Sequence, residues 1–204
     1  NVSTNLVVGH VLTCTDHPNS DHLHLTTVDV GDKVVQIVCG ADNVEKGQYV
    51  IVAQVGTVLP GDFQIKQSKI RGEESNGMIC SLKELGIDSK YIPDDSVDGI
   101  YYFGKPQKPG TPGLEALALE GWVMELGLTP NRADLLSVLG FAYDLASMSD
   151  QKVVIPKFKI SETKTLNPIK IDIETDRCGT YHARYFESLT IKESPLWLKS
   201  ALLA

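Results

Sequence analysis

Cysteine, aromatic side chains and positive charge are all scarce in this chain. Its four cysteines are scattered among 204 residues with no Cys-x-x-Cys pair, which argues against a disulfide framework and fits a reducing cytosol. Lys and Arg number 19 against 26 Asp and Glu, a net charge of −7, which excludes a general nucleic-acid coat but not a local basic patch. No apolar run approaches the roughly 20 residues that cross a bilayer. We therefore expect a cytoplasmic protein with no membrane segment.

Sequence signatures of catalysis are missing as well. The chain contains no Walker phosphate loop, no Gly-x-Ser-x-Gly elbow and no His-Glu-x-x-His zinc motif. We expect no catalytic residue in it. The chain begins at Asn1 rather than Met and ends in an amphipathic pattern with no Gly or Pro stop signal, which we interpret as a piece of a longer protein.

The first half of the chain reads as β structure. Strand-length runs rich in Val, Ile, Thr and Tyr are each bounded by Gly, Asp or Pro. These runs occupy residues 6–15, 24–31, 33–40, 48–56 and 98–104, with one helical turn at 81–87. A doubly wound sheet would need a helix between successive strands, so we predict a small closed five-stranded barrel over residues 1–108.

The second half reads as a mixture of helices and strands, which makes the whole chain mainly β with an α+β remainder. The Pro- and Gly-rich stretch 104–113 marks a boundary. We predict a helix–strand segment over 109–160 and a further segment over 161–204. The first of these segments should contain a helix at 113–119, capped by Thr111 with Pro112 as its first residue, a strand at 121–128, and a helix within 129–148 capped by Asp134 or Thr129. An extended linker at 153–168 should follow. The last segment should contain strands at 169–175 and 181–191 and a helix at 194–203 capped by Ser194.

A polar cluster near the start of the chain raises the question of a metal site. The sequence CTDHPNSDHLH places Cys14, His17 and His22 at spacings that zinc ligands use, which would suit a small zinc hydrolase. Residues 16–19 read equally well as a turn between two strands, with His22 and His24 on one face of the second strand. We favour the turn, and expect no metal.

The segment GDFQIKQSKIRGEESNGMICS, residues 61–81, concentrates positive charge. Lys66, Lys69 and Arg71 fall within six residues of an otherwise acidic chain, and Gly72 and Gly77 allow sharp turns. Neutral hydrogen-bonding side chains stand between them. Such a composition is typical of a loop that holds a sugar-phosphate backbone, although a solvated turn with ordinary surface lysines explains it too and is favoured on composition alone.

A third candidate is the sequence TPNRAD. Asn131 and Arg132 at a helix start could bind a phosphate or carboxylate. Alternatively Arg132 pairs with Asp134 or Glu125 and fixes the strand-to-helix corner. We favour this structural interpretation.

Four motifs in sequence order carry a family resemblance: HPNSDHL, IVCGADNV, GTVLPGDFQIKQSKIRGEESNGMICS and TPNRADLLSVLG. Together they closely resemble the N-terminal region of the bacterial phenylalanyl-tRNA synthetase beta subunit, over essentially the whole chain. The first three also resemble the wider EMAP-type tRNA-binding domain, an OB-fold barrel. The end of the chain, from Cys178, resembles the opening of that subunit's editing domain.

The resemblance implies a set of RNA-contacting residues. They are Ser68, Lys69, Arg71, Ser75, Gly77 and Met78, with Lys66 nearby and His17 and Asn19 in the first motif. That motif departs from the family pattern, since Ser20 replaces the usual Ala and His22 stands where Lys is common. Because Phe63 is the one aromatic residue of the basic segment, we expect recognition of backbone and shape rather than bases. About three phosphate contacts predict that log K falls with log salt at a slope of roughly −2.

For the full enzyme, the resemblance implies attachment of phenylalanine to tRNA(Phe) with ATP and Mg²⁺. The alpha subunit would carry that chemistry, in a heterotetramer of two alpha and two beta subunits. We expect this chain to bind no cofactor and to perform no chemistry by itself. An alternative is that the barrel is an architectural or assembly element with little tRNA contact, which the net charge of −7 and the lack of stacking aromatics favour.

Overall fold

The computed structural model describes residues 5–92, 94–122, 124–162, 166–192 and 194–203. It divides into two units, residues 1–122 with 194–204, and residues 123–193. The strands are β1 Leu6–Asp16, β2 His24–Asp29, β3 Val34–Cys39, β4 Tyr49–Gln54, β5 Val58–Leu59, β6 Phe63–Gln64, β7 Ser68–Ile70, β8 Glu73–Ser75, β9 Gly77–Ile79 and β10 Tyr102–Phe103. The α-helices are α1 Gly113–Ala116, α2 Val138–Ser149 and α3 Leu196–Leu203, and 3₁₀ turns span Ser89–Tyr91, Asp94–Ser96 and Ala133–Leu136. None of the helices described has the length and apolar content to span a membrane.

The first unit is built on a nearly closed antiparallel barrel. Its strands run in the order β3, β2, β1, β4, β9. The barrel closes where the Asn76 N–H, just before β9, donates to the Gln36 carbonyl of β3 at 2.9 Å. The prediction of a mainly β chain with a five-stranded barrel at its start is confirmed.

The fifth barrel strand is not the one that the sequence predicts. The predicted strand at 98–104 is reduced to the two residues of β10. One edge of β4 is shared, because β9 pairs with it from Val52 to Gln54 and β10 pairs only with Val50 and Tyr49. Because β9 pairs with three of the six residues of β4, β10 pairs only at the other end of that edge.

Strand β4 is buried on both faces. Val50 and Val52 pack inside the barrel, and Ile51 and Ala53 pack into a second apolar layer on its outer side. A strand covered on both faces is continuously apolar rather than alternating, as the YVIVA sequence is. Leu196 of α3 packs against the second layer, and the Ser200 hydroxyl donates to the Leu117 carbonyl at 2.8 Å.

Two helical predictions in the first unit need correction. Residues 81–87 form turns rather than a helix. Ser81 and Glu84 make the reciprocal hydrogen bonds of a helix start, but Gly86, with a φ of 87°, ends the run within one turn. Helix α1 is shorter than predicted. Thr111 does not cap it, since its hydroxyl donates to the Lys108 carbonyl and Pro112 occupies the N-cap position.

The helix predicted within 129–148 is present in two pieces. A 3₁₀ turn at Ala133–Leu136 is followed by α2. The N-cap of α2 is Ser137, whose hydroxyl accepts from the Gly140 N–H at 2.9 Å, so neither Asp134 nor Thr129 caps it. Helix α3 begins at Leu196, two residues after the predicted cap Ser194.

The strands predicted at 121–128, 169–175 and 181–191 are wrong for the residues that the structure describes there, which form no strand. Val123, in the predicted strand at 121–128, lies outside the described residues, as do residues 163–165 of the predicted linker. The other residues of 153–168 have no regular structure, as predicted. An alternating pattern becomes a strand only beside a hydrogen-bonding neighbour. The apolar side chains of 169–173 remain 44–51% exposed.

Candidate nucleic-acid interface

The centre of the basic segment, residues 68–75, folds as a tight hairpin rather than as a loop. β7 and β8 pair from Ser68–Ser75 to Ile70–Glu73, which leaves Arg71 and Gly72 as the two turn residues. Both have positive φ, 48° and 99°, as a type I′ turn requires. The turn that the sequence assigns to Gly72 is confirmed. The hairpin is its own two-stranded sheet beside the barrel.

The predicted cations all stand on the surface. Lys66, Lys69 and Arg71 are exposed, and so is Ser68. Carboxylates accompany them, since Lys69 lies opposite Glu74 in the hairpin and segment 61–81 holds three basic and three acidic residues. The hairpin therefore presents positive groups at its tip within a segment of zero formal charge.

The first motif is brought to the hairpin by the loop after β1. His17 is only 4% exposed and its Nε2 lies 3.1 Å from the Ile70 carbonyl. Its Nδ1 accepts from the Asn19 N–H at 3.1 Å, so Nε2 carries the proton and donates to Ile70. Asn19 is exposed beside Arg71: its Nδ2 donates to the Arg71 carbonyl at 3.1 Å, and the Arg71 Nη1 donates to the Asn19 carbonyl at 3.3 Å.

Three of the predicted RNA contacts have structural tasks in the barrel. Ser75 is 2% exposed; its hydroxyl accepts from the Val38 N–H at 3.1 Å and donates to the Gly77 carbonyl at 3.2 Å. A Cβ on Gly77 would lie 3.0 Å from the Ala53 carbonyl, closer than ordinary contact. Met78 is half-buried and packs against the second apolar layer.

A groove of about 710 Å³ lies between this hairpin and the barrel. Five predicted positions line it, which are Lys66, Ser68, Ser75, Gly77 and Met78. Its wall includes Phe63, 57% exposed, and Ile65. Its lining also includes Glu84 and a Lys83–Asp98 ion pair, with the Lys83 Nζ 3.6 Å from the Asp98 Oδ1.

Sequence reasoning missed the groove residues that come from distant segments. Val38 lies in β3 and Gly40 directly follows that strand, whereas Asp98 and Gly99 precede β10. No local pattern marks them, because only the barrel topology brings them beside the hairpin.

Arg132 fixes a corner of the second unit. Its Nε and Nη2 donate to the two oxygens of Asp134 at 3.2 and 3.0 Å, and Nη2 also donates to Asp144 at 2.8 Å. The hydrogen bonds to Asp134, followed by the bond to Asp144, raise the pKa of Arg132. The hydrogen bonds from Arg132 lower the pKa of Asp134. The geometry favours the structural interpretation with Asp134, and Asp144 is a partner that the sequence did not indicate. Asn131 is exposed.

The geometry of the opening cluster supports the turn. Both ring nitrogens of His17 are engaged in hydrogen bonds. Burial, then the charges of Asp16 and Glu45, raises the pKa of the Cys14 thiol. His22 is exposed on the turn. In the part of the chain that the structure covers, no three His, Cys, Asp or Glu side chains are grouped to hold a metal ion.

Comparison with known proteins adds a family to this geometry. Residues 6–112 match the family described as "Putative tRNA binding domain". The chain is 48% identical over 203 residues to the phenylalanine–tRNA ligase beta subunit of Staphylococcus aureus (strain bovine RF122 / ET3-1), and 46% identical over 202 residues to that of Bacillus subtilis (strain 168). These matches cover 98% and 97% of the chain, which spans a quarter (25%) of the length of each relative. The resemblance indicated by the four motifs is confirmed.

A looser structural likeness is to a MetRS-related protein from Pyrococcus horikoshii. It is 20% identical, covers 52% of this chain and 86% of that one, and has a TM-score of 0.37.

Proposed function

Because the chain belongs to the tRNA binding domain family, we propose that its barrel binds tRNA through the β7–β8 hairpin and the adjoining groove. The observation that carries the proposal is the convergence of separate predictions on one place. Lys66 and Ser68 line the groove, Lys69 and Arg71 stand on the hairpin above it, and Asn19 is hydrogen-bonded to the turn.

The chemistry of this surface suits an RNA backbone more than base-specific reading. Lys66, Lys69 and Arg71 can each meet a phosphate, and neutral donors such as Ser68 and Asn19 can bind phosphate or ribose oxygens. Phe63 offers one exposed aromatic face on which an unpaired base can stack. Zero formal charge over 61–81 predicts weak binding by this chain alone.

We further propose that the chain is part of a phenylalanine–tRNA ligase beta subunit, which is supported by 46–48% identity to such subunits over nearly its whole length. The ligase would attach phenylalanine to tRNA(Phe) with ATP and Mg²⁺, with an alpha subunit as partner. This chain would supply tRNA contact and no catalytic group. In this proposal residues 1–108 are an OB-fold domain, 109–160 a segment that holds helices α1 and α2, and 161–204 the start of an editing domain.

A second candidate is an architectural barrel with little tRNA contact. It is favoured by two contacts of the hairpin, because the Arg71 guanidinium is turned back to the Asn19 carbonyl and Lys69 lies opposite Glu74. A guanidinium that already donates within the protein, and a lysine with a carboxylate on the facing strand position, are less favourable partners for phosphate.

Binding of the chain to tRNA at several salt concentrations separates the two. We expect saturable binding with a slope of log K against log salt of about −2. The double variant Lys69→Ala, Arg71→Ala should bind tRNA more weakly, and its slope of log K against log salt should be less steep. Lys105→Ala, Lys108→Ala is the matched control, since it also removes two exposed positive charges, which belong neither to the hairpin nor to the groove lining. No binding at low salt by the folded chain, or equal losses in both double variants, would favour the architectural role.

A further inference from the structure

We propose that His17 is a positioning residue for the RNA-binding hairpin, which it holds in place without touching RNA itself. The inference rests on the proposed function of the hairpin. It departs from the simple expectation that a polar residue in an RNA-binding motif contacts the ligand.

Burial removes His17 from the ligand. The side chain is 4% exposed, and its two ring nitrogens are both used inside the protein, one by the Ile70 carbonyl and one by the Asn19 N–H. No polar atom of the ring remains for a phosphate or a base.

The place of His17 in the fold explains what it holds. It directly follows β1 of the barrel, and Ile70 is the last residue of β7, next to the Arg71–Gly72 turn. The other strand of the hairpin is attached to β3, because the Gln36 Nε2 donates to the Glu74 carbonyl at 2.9 Å and Ser75 accepts from Val38. His17 therefore anchors the β7 side while β3 anchors the β8 side.

The second hydrogen bond of His17 extends this control to the tip. By accepting from the Asn19 N–H, it fixes the backbone from which the Asn19 side chain reaches the Arg71 carbonyl. The Asn19 carbonyl in turn accepts from the Arg71 guanidinium. Arg71 holds a left-handed backbone conformation that non-glycine residues seldom adopt, with φ of 48°, and the two contacts with Asn19 support it there.

Three substitutions separate the two hydrogen bonds. In His17→Gln the amide nitrogen can still reach the Ile70 carbonyl. In His17→Asn the side-chain oxygen can still accept from the Asn19 N–H, two residues on, but the side chain is too short for Ile70. His17→Ala loses both.

We expect His17→Ala to weaken tRNA binding about three- to tenfold, the effect of having to order one or two interface side chains on binding. His17→Gln should stay within about twofold of the parent chain by the same relation, with His17→Asn between them. NMR amide signals of Arg71 and Gly72 should move and exchange faster in His17→Ala, while the Val38 amide keeps its protection and shows that the barrel is folded. If His17→Ala does not fold, the Gln–Asn pair gives the same test.

The outcomes distinguish this inference from the function it rests on. If the parent chain binds no tRNA, the proposed function fails and this inference falls with it. If the parent binds and His17→Ala binds equally well, only the positioning role is overturned. It is also overturned if affinity falls in all three variants while the Arg71 and Gly72 amides stay unchanged, because His17 would then contact RNA directly.

Discussion

Replacing Ser75 with Ala tests whether this residue serves the barrel or the RNA. The Ser75 hydroxyl is the acceptor for the Val38 N–H, in a place where the side chain is 2% exposed. Alanine would leave that buried N–H without a partner, and the Gly77 carbonyl would lose a donor. A buried polar group left unpaired costs about 1–3 kcal/mol, so the free energy of unfolding should fall by about that amount.

Ser68 provides the matched control, because it lies directly opposite Ser75 in the hairpin but is exposed. Ser68→Ala should change the free energy of unfolding by no more than about 0.5 kcal/mol. Urea unfolding of both variants with linear extrapolation measures the difference, and amide exchange at Val38 shows whether its N–H is newly exposed to opening. Equal stabilities of the two variants, with Val38 exchange unchanged, would refute the structural assignment of Ser75.

Binding gives the other half of this test. If Ser75 serves only the barrel, the folded Ser75→Ala chain should bind tRNA with an affinity within about twofold of the parent. That difference in binding free energy is well below the about 1.4 kcal/mol of a tenfold change. Lower affinity without lower stability would return Ser75 to the RNA surface, as the family resemblance implies.

Three further outcomes follow from packing and burial. Gly9→Ala should destabilise the barrel by about 1–3 kcal/mol in urea unfolding, because its Cβ would lie 2.6 Å from the Val28 Cγ1, whereas Gly104→Ala, with nothing within 4 Å, should have little effect. A thiol reagent at pH 8 should label the exposed Cys178 quickly and the buried Cys80 only as the barrel opens. Burial, then the charge of Glu84, raises the pKa of Cys80 to about 12, so its thiol stays protonated at pH 8. Equal labelling rates of the two cysteines would contradict this prediction. As pH rises from about 9 towards 12, the unfolded chain loses the Cys80 proton while the folded chain keeps it. The free energy of unfolding should therefore fall over that range, and the decline due to Cys80 should be missing from the pH profile of a Cys80→Ala variant.

The barrel was predictable because its long strands carry their own signal. β1 to β4 are runs of 6 to 11 residues rich in Val, Ile and Thr, and the sequence also indicated the turn at Gly72. The short strands β5 to β9 were not, because two or three residues show no period. The predicted strands at 169–175 and 181–191 failed for a different reason: alternation indicates which side chains share a face, but not whether a second strand exists to pair with them.

The site was predictable in location rather than in the role of each residue. Positive charge and glycine spacing drew attention to 61–81, and the exposed positions of Lys66, Lys69 and Arg71 agree with that interpretation. Ser75 lies in that segment and His17 in the first motif, yet the polar atoms of both side chains are hydrogen-bonded within the protein. A sequence does not reveal whether a hydroxyl or an imidazole faces a ligand or a neighbouring strand, since the partners lie 37 and 53 residues away.

Helix α3 has a consequence for the order in which the first unit comes apart. The Ser200–Leu117 hydrogen bond joins residues 83 apart in sequence, so docking α3 closes a long loop. For a flexible intervening chain, closure costs about 4 kcal/mol of entropy before any constant is added. One hydrogen bond contributes about 0.5–1.5 kcal/mol, and Leu196, which is partly buried, adds less than the about 1.5–3 kcal/mol of a fully buried leucine. These contributions nearly cancel, so α3 can detach while the barrel stays intact, and its amides should exchange well before those of β4.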